Sequence, residues 1–357
     1  MSHLHQLSIQ VILDNQAAGG GYIACPTMAD YAYCWFRDGT FIAYAMDLAG
    51  EHESARRFYE WGVTVINARE TVVEQALHKT ARGEPLTAVD YLHTRYTLDG
   101  AEGSDSDWPN FQLDGIGTWL WGLHQHSRLT GMEQLPVQWA TAAALAARYL
   151  AGLWQLPNYD CWEEFAEEVH PHTLAAIYGG LQAYDALLGQ PVYADVAAGI
   201  RDFVLDEGVA NGHFVKYLGT EMVDASLLGL ATPYGLVPPD HPLMQATVAC
   251  IESDLRPFTG GVRRYAQDTY YGGGQWLLLT AWLGWHYAQI GETDRAKALL
   301  DWVAAQADEN GFLSEQIAAD LISPQHYQPW VDMRGPIANP LLWSHAMYLV
   351  LANVLHK

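Results

Sequence analysis

This chain is short of positive charge. Its 357 residues include 18 Lys and Arg against 41 Asp and Glu, a formal net charge of −23. Nucleic acids and anionic membrane surfaces are held by clustered cations, so neither is expected as a partner, whereas a neutral ligand is compatible. Cysteine is scarce as well. Cys25, Cys34, Cys161 and Cys250 form no CxxC pair and no zinc spacing, which reads as free thiols in a reducing compartment. No run of eighteen apolar residues suggests a membrane span, and the start, "MSHLHQLSIQVILDNQ", lacks the basic segment and apolar core of a signal peptide. A soluble, cytoplasmic protein is expected. Fixed-period repeats, low-complexity tracts and Pro/Ser-rich linkers are missing too, which argues against a solenoid and against a divided chain. Strand-like alternation is rare; "NGHFVKYLG" is the best candidate for a short hairpin.

Helical periodicity is what the chain has in quantity. Apolar residues at i, i+3, i+4 spacing recur in about twelve blocks, near 3–15, 38–49, 53–79, 113–130, 136–154, 172–188, 191–207, 222–229, 241–254, 275–290, 293–308 and 340–355. Gly50 follows one block, and Gly291 and Thr293 bracket the start of another. Long connections follow every second block, at 16–37, 80–112, 155–171, 208–221, 255–274 and 309–339. The expectation is an all-α fold of about twelve helices closed into a double ring, with the long loops lining a pocket at one end. Loops of that length in a compact domain usually carry function.

Aromatic residues are abundant, with 14 Trp and 20 Tyr. Trp35, Trp108, Trp162, Trp276, Trp330 and Trp343 sit beside polar residues, as suits flat ligands with polar edges such as sugars. Trp119, Trp121, Trp282 and Trp285 read as core. Five connections combine aromatics with charged or amide side chains: "DYAYCWFRDG", "SDWPNFQLDG", "DCWEEF", "RRYAQDTYYGGGQW" and "GFLSEQ". Together they suggest one concave hydrogen-bonding site. In the third, Glu163, Glu164, Glu167 and Glu168 crowd into six positions, with no Lys or Arg nearer in sequence than Arg148 and Arg201. A helix here would set Glu163 against Glu167 and Glu164 against Glu168 as repelling i,i+4 pairs. The bland reading is a solvated acidic helix start; the functional one is a carboxylic acid doing proton chemistry. Glycosidic hydrolysis needs two carboxyl groups, and Glu163 and Glu315 are the natural pair. Like-charge neighbours would keep Glu163 protonated as the acid.

These segments resemble glycoside hydrolase family 15, the glucoamylases. "DYAYCWFRDG" is similar to the family's D-Y-x-Y-x-W-x-R-D stretch, "SDWPNFQLDG" to W-x-x-x-Q-x-D-G, and "DCWEE" to D-x-W-E-E around the general acid. "RRYAQDTY" resembles R-Y-x-E-D-T-Y, "GFLSEQ" the segment around the general base, and "LLWSHAMYL" the W-S-x-A segment after it. The matches keep the family's order from about residue 30 to 350. The resemblance implies an (α/α)6 barrel and inversion at the anomeric carbon, with Glu163 as acid and Glu315 as base. The two carboxyls should then stand roughly 6.5–9.5 Å apart. It further implies that Arg37 and Asp38 grip the terminal sugar, that Tyr31, Trp35, Trp162 and Arg264 line it, that Glu164 reaches the next sugar, and that Trp108, Gln112, Asp268 and Trp343 complete the site. No metal or organic cofactor is implied.

Three features depart from the family pattern. Gln267 stands where the segment usually has glutamate, which would alter the leaving-group side. The stretch between Glu315 and Trp343 is long and is expected to reshape the pocket mouth. Residues 1–357 read as a single catalytic domain, without the β-sandwich or starch-binding module of many relatives. That suits small oligosaccharides, and compact members of the family include isomaltose-cleaving glucohydrolases, so an α-1,6 linkage is the expectation. Maltose-type α-1,4 glucosides and trehalose are the alternatives within the family. A terpene cyclase, hinted at by "FQLDGIGTW" and "GGGQW", lacks a proper aspartate-rich acid motif; a non-catalytic sugar-binding protein is disfavoured by the presence of both glutamates. His124 with His126, and His170 with His172, are spaced by two and so face apart on a helix; capping or surface roles are expected rather than a metal site. Glu167 and Glu168 read as solvated, Asp105 and Asp107 as turn caps, and Cys34 and Cys161 as small packing residues.

Overall fold

The computed structural model describes residues 3–103 and 108–356; Ser106 and the turn caps expected at Asp105 and Asp107 lie outside the described residues. In chain order the helices are α1 (His3–Asp14), α2 (Phe36–Leu48), α3 (His52–Asn67), α4 (Glu70–Ala81), α5 (Asp114–Thr130), α6 (Val137–Leu153), α7 (Pro171–Leu188), α8 (Ala194–Glu207), α9 (Pro242–Cys250), α10 (Leu277–Gln289), α11 (Thr293–Ala304), α12 (Tyr327–Arg334) and α13 (Leu342–Leu355).

Their packing closes a ring. α2 lies on α5, α5 on α7, α7 on a short 3-10 segment (Ala225–Leu230), that segment on α10, α10 on α13, and α13 back on α2. A second layer of α1, α3, α6, α8, α9 and α11 packs outside. This is the expected (α/α)6 double ring. The inner helices are apolar nearly all round, as a fully buried helix must be: α10 reads LLLTAWLGWHYAQ and buries every residue from Leu277 to Tyr287. The outer helices bury one face; α3 buries Phe58, Tyr59, Trp61, Val65 and Ile66 while Arg56 and Glu60 stay outside. Gly50 and Gly291 do follow helix ends, and Trp119, Trp121, Trp282 and Trp285 are core.

Three expected helical boundaries shift. The block at 53–79 is two helices, broken where the Asn67 side chain donates across to the Gln138 carbonyl on α6 (3.0 Å). The block at 222–229 is only a 3-10 stretch, opened by Asp224 capping Ser226 N–H and closed by the TPYG turn. The last long connection contains α12, whose YQPWVDMR sequence has an apolar spacing of little more than one turn, Tyr327, Trp330 and Val331, interrupted by Pro329. The hairpin in "NGHFVKYLG" is present, as β3 (Val209–Ala210) against β4 (His213–Phe214). Two further two-residue antiparallel ladders, β1 (Cys34–Trp35) with β2 (Arg95–Tyr96) and β5 (Gln275–Trp276) with β6 (Gln316–Ile317), pin the loops just ahead of α2 and α10. No helix among the described residues is long and apolar enough to cross a membrane.

Inner helices α5 and α7 touch backbone to backbone at glycines. A Cβ on Gly117 would overlap the carbonyl oxygen of Ala176, and one on Gly180 would overlap the Gly117 backbone. We expect Gly117→Ala to destabilise the fold by roughly 1–3 kcal/mol in denaturant titration, as overpacking does. Gly199→Ala, on an open face of α8 with nothing within 4 Å, should instead stabilise by about 0.5–1 kcal/mol. Equal effects at both positions would contradict the close crossing.

Candidate active site

The inner segments present their N-terminal ends to one pocket. Trp35, Arg37 and Asp38 sit at the start of α2, Trp276 just ahead of α10, and Leu341 and Trp343 at the start of α13; all six line a cavity of about 250 Å³. The connections supply the remaining walls, among them Tyr31, Trp108, Trp162, Glu163, Glu164, Arg264, Tyr270 and Glu315. All six tryptophans that the sequence places beside polar residues, from Trp35 to Trp343, are in this lining. Of the expected site residues only Gln112 and Asp268 stand behind it. Gln112 Oε1 accepts from Arg37 Nη1 (2.9 Å) and its Nε2 donates to Glu163 (3.2 Å), while Asp268 forks onto the Arg264 guanidinium (2.8 and 2.5 Å). Both stand behind the wall and hold Arg37 and Arg264 in it.

Glu163 and Glu315 hang from neighbouring rings. Trp35 Nε1 donates to Glu163 Oε1 (2.7 Å), Tyr31 Oη donates to Glu315 Oε1 (2.9 Å), and the two rings are 5.7 Å apart. Each carboxyl thus has one oxygen held. Glu163 Oε1 also takes the Gln112 amide, and Glu315 Oε2 is buried without a hydrogen-bond partner. Burial pushes Glu315 up to about 7, against the opposing Tyr31 hydrogen bond. Burial likewise raises Asp38 to about 6, with Arg37 opposing. The phenols Tyr31 and Tyr270 are pushed well above their ordinary range by burial, so both remain donors; they lie 2.8 Å apart.

The stretch around "DCWEEF" is not helical, so the repelling i,i+4 pairs do not form. It is a set of turns, with Glu163 and Phe165 in the left-handed region (φ 69° and 53°). Asp160 Oδ1 ties it by accepting N–H from both Trp162 and Glu164 (2.9 Å each). Cations distant in sequence supply the missing charge. Buried Lys216 bridges Asp160 and Asp224 (2.7 and 2.6 Å), and Asp224 in turn receives the Trp162 indole N–H (2.9 Å). Against burial, Lys216 holds Asp160 below the usual carboxyl range. Glu164 turns to Arg264 (3.3 Å) and the Tyr265 hydroxyl (2.6 Å); burial raises it and Arg264 opposes. Glu167 is exposed and Glu168 partly so, as expected.

A family-wide sequence pattern, glycosyl hydrolases family 15, matches residues 2–353. The chain belongs to glycosyl hydrolases family 15. It is 44% identical to an isomaltose glucohydrolase of Kribbella flavida, covering 99% of this chain and 94% of that protein. A trehalase of Sulfolobus acidocaldarius is 25% identical, with 84% of this chain matched to 56% of that protein. Among solved structures, a wild-type glycosidase superposes with a TM-score of 0.94 at 43% identity, covering 99% of this chain and 96% of the other, and a variant glycosidase in complex with glucose gives the same values. A bacterial glucoamylase complexed with acarbose has a TM-score of 0.79 at 19% identity, over 100% of this chain and 56% of that one, and supports the fold alone.

Some family-based expectations need correcting. Gln267 is exposed and stands outside the pocket lining. The histidines are not at the surface: His126, His170 and His172 are buried, where His126 bonds Asp47 (2.9 Å), His170 the Asn158 carbonyl (3.0 Å) and His172 the Ser226 carbonyl (2.7 Å). The apolar periods of α5 and α7 carry His126 and His172 inward, while His170 occupies the N-cap position of α7. Among the described residues no group of three or more His, Cys, Asp or Glu is gathered as a metal site requires. Sequence reasoning also missed Lys216, Asp224, Tyr270 and Arg334. One signal was available: Lys216 is one of only four lysines and lies inside the otherwise apolar "HFVKYL".

The Glu315 carboxyl gives a pH-dependent test. Its folded-state value of about 7 lies above the ordinary 4.5, so the folded protein holds this proton more tightly than the unfolded chain. Its contribution to stability is full below about 4.5 and is lost as pH rises through about 7, a difference on the order of 3 kcal/mol. Glu315→Gln removes that loss. Relative to wild type, its Tm should therefore be higher at pH 8 than at pH 5; a pH-independent difference would refute the burial of an ionisable Glu315.

Proposed function

We propose that this protein is an inverting, exo-acting α-glucosidase that releases β-glucose from the non-reducing end of small α-1,6-linked glucosides, isomaltose first among them. The observation that carries the reading is the pair Glu163 and Glu315, each with one oxygen fixed by an aromatic donor and both lining one pocket. With Oε1 of Glu163 occupied by Trp35 and Gln112, its proton belongs on Oε2, for delivery to the leaving glycosidic oxygen. The free Oε2 of Glu315 is the oxygen that takes a proton from water as the water attacks the opposite face of the sugar. Buried Arg37, Asp38 and Trp343 close the inner end, so only a chain terminus can enter. Arg37 and Asp38 bind the hydroxyls of that terminal ring, Trp35, Trp162 and Arg264 flank it, and Glu164 serves the leaving sugar. All of these groups belong to one barrel, which acts as the catalytic domain, and no cofactor enters the scheme. Four free thiols, including Cys34 and Cys161 beside site tryptophans, fit a cytoplasmic enzyme. The α-1,6 preference is supported by the 44% identity to the isomaltose-cleaving relative.

Proton NMR of the protein mixed separately with isomaltose, maltose and trehalose tests linkage and mechanism together. Fresh β-glucose mainly from isomaltose is expected. β-Glucose mainly from maltose or trehalose would move the linkage, and α-glucose appearing first would overturn the roles of the two glutamates. Glu163→Gln and Glu315→Gln should each lower kcat by about 10²–10⁴ with sugar binding retained. In wild type, kcat/KM should climb with pH through about 7 as Glu315 ionises; an acid limb far below that would separate the base from Glu315.

A further inference from the structure

Helix α12 buries none of its residues, yet it stands at the pocket mouth. One side of it is attached by rings: Trp330 meets Tyr270 edge-on at 4.9 Å and lies flat on Tyr271 at 6.0 Å, while Tyr271 Oη donates to the Gly335 carbonyl (2.9 Å). The other side is attached by charge. Arg334, at the helix end, pairs with Asp30, 304 residues earlier in the chain. Its guanidinium also stands over the Trp108 ring, 5.5 Å from the centroid. Asp30 is fixed in turn, because its carbonyl accepts from Arg95 Nη1 (2.6 Å) and Arg95 stacks on Trp108 at 3.4 Å.

We propose that the Arg334–Asp30 bridge is a length gate. It ties pocket-lining Arg334 to the loop that carries Tyr31, and it confines the leaving group to about one sugar ring. The inference rests on the glucosidase reading of the pocket and adds chain-length selection to it. Arg334 lines the same pocket as Glu163, Glu164, Trp108 and Trp330, and the bridge ties it to Asp30 outside that lining. On this proposal a second ring packs against Trp108 and Trp330, and a third meets the Arg334–Asp30 pair. The two side chains are 33% and 36% exposed, so the pair is weak by itself and opens at small cost. It therefore selects between substrates by a modest factor and does not seal the site.

The test compares wild type, Arg334→Gln, Asp30→Asn and the double variant, each assayed on isomaltose and on the α-1,6-linked trisaccharide. The quantity read is the ratio of kcat/KM for the trisaccharide to that for the disaccharide. Because both values come from the same preparation, any loss of folded protein cancels. Each single change should raise the ratio roughly fivefold, the reach of an exposed ion pair, and the double change should add nothing further. An unchanged ratio in either single variant, or two independent and additive rises, overturns the gate. A wild type that cleaves neither sugar overturns the glucosidase reading itself, and the gate with it.

Discussion

Taking a carboxylate out of water is costly unless a cation or several donors replace the lost hydration. The closed end of this barrel does it repeatedly, and the arrangement of cations follows from that constraint. Arg37 sits among Asp38, Asp114 and the Gln112 amide, Arg264 between Asp268 and Glu164, and Lys216 between Asp160 and Asp224. Each cation serves at least two acids, so the clusters remain rich in negative charge. The N-termini of the inner helices, which converge here, lend partial positive charge to the same volume. Glu315 is the exception. Its direct partner is the neutral Tyr31 hydroxyl, and it is the site glutamate that burial carries as far as neutral pH. A group so placed can change protonation state during a reaction, whereas an acid locked in an ion pair cannot do so readily.

The aromatic wall answers a different constraint. A sugar ring offers an apolar face and a rim of hydroxyls, and tryptophan matches both with its face and its single N–H. Some of these N–H groups are already committed: Trp35 to Glu163 and Trp162 to Asp224. Others are not. The Nε1 atoms of Trp108, Trp276 and Trp343 are buried with no hydrogen-bond partner. Core Trp61 and Trp119 share that lack of a partner, but Trp108, Trp276 and Trp343 also line the cavity, where an entering group can reach them. The committed tryptophans orient the machinery, and the uncommitted ones belong to whatever enters.

Much of this was legible in the sequence because it was written locally. Apolar periodicity located most of the helices, since an inner helix cannot hide its apolar circumference. Trp, Arg and Glu beside one another in long connections located the pocket, since loops ahead of the inner helices must all open at the same end. What escaped was long-range. Lys216 reaches "DCWEEF" across 56 positions, and Arg334 reaches Asp30 across 304. Neither pairing leaves a periodic trace. α12 escaped because its apolar stripe, Tyr327, Trp330 and Val331, spans little more than one turn, is interrupted by Pro329 and is only half-buried. His126 and His172 were misjudged for the opposite reason: their polarity was weighed and the burial imposed by their helices was not.

The acid-bearing loop shows why one local expectation had to fail. A helix through 160–168 would set Glu163 and Glu164 about 100° apart on one cylinder and bring each against a like charge a turn later. The left-handed backbone at Glu163 sends the two side chains to different walls instead, one to Trp35 and Gln112, the other to Arg264 and Tyr265. A non-glycine residue in that conformation costs on the order of 1–3 kcal/mol and persists only where the surroundings over-determine it. Here they do. Asp160 binds the backbone on both sides of Glu163, Lys216 neutralises Asp160, and Asp224 fixes the intervening Trp162. Adjacent glutamates are thereby carried to different partners in the wall of one pocket. The crowding of carboxylates in the sequence is the local sign of a strain that distant residues sustain.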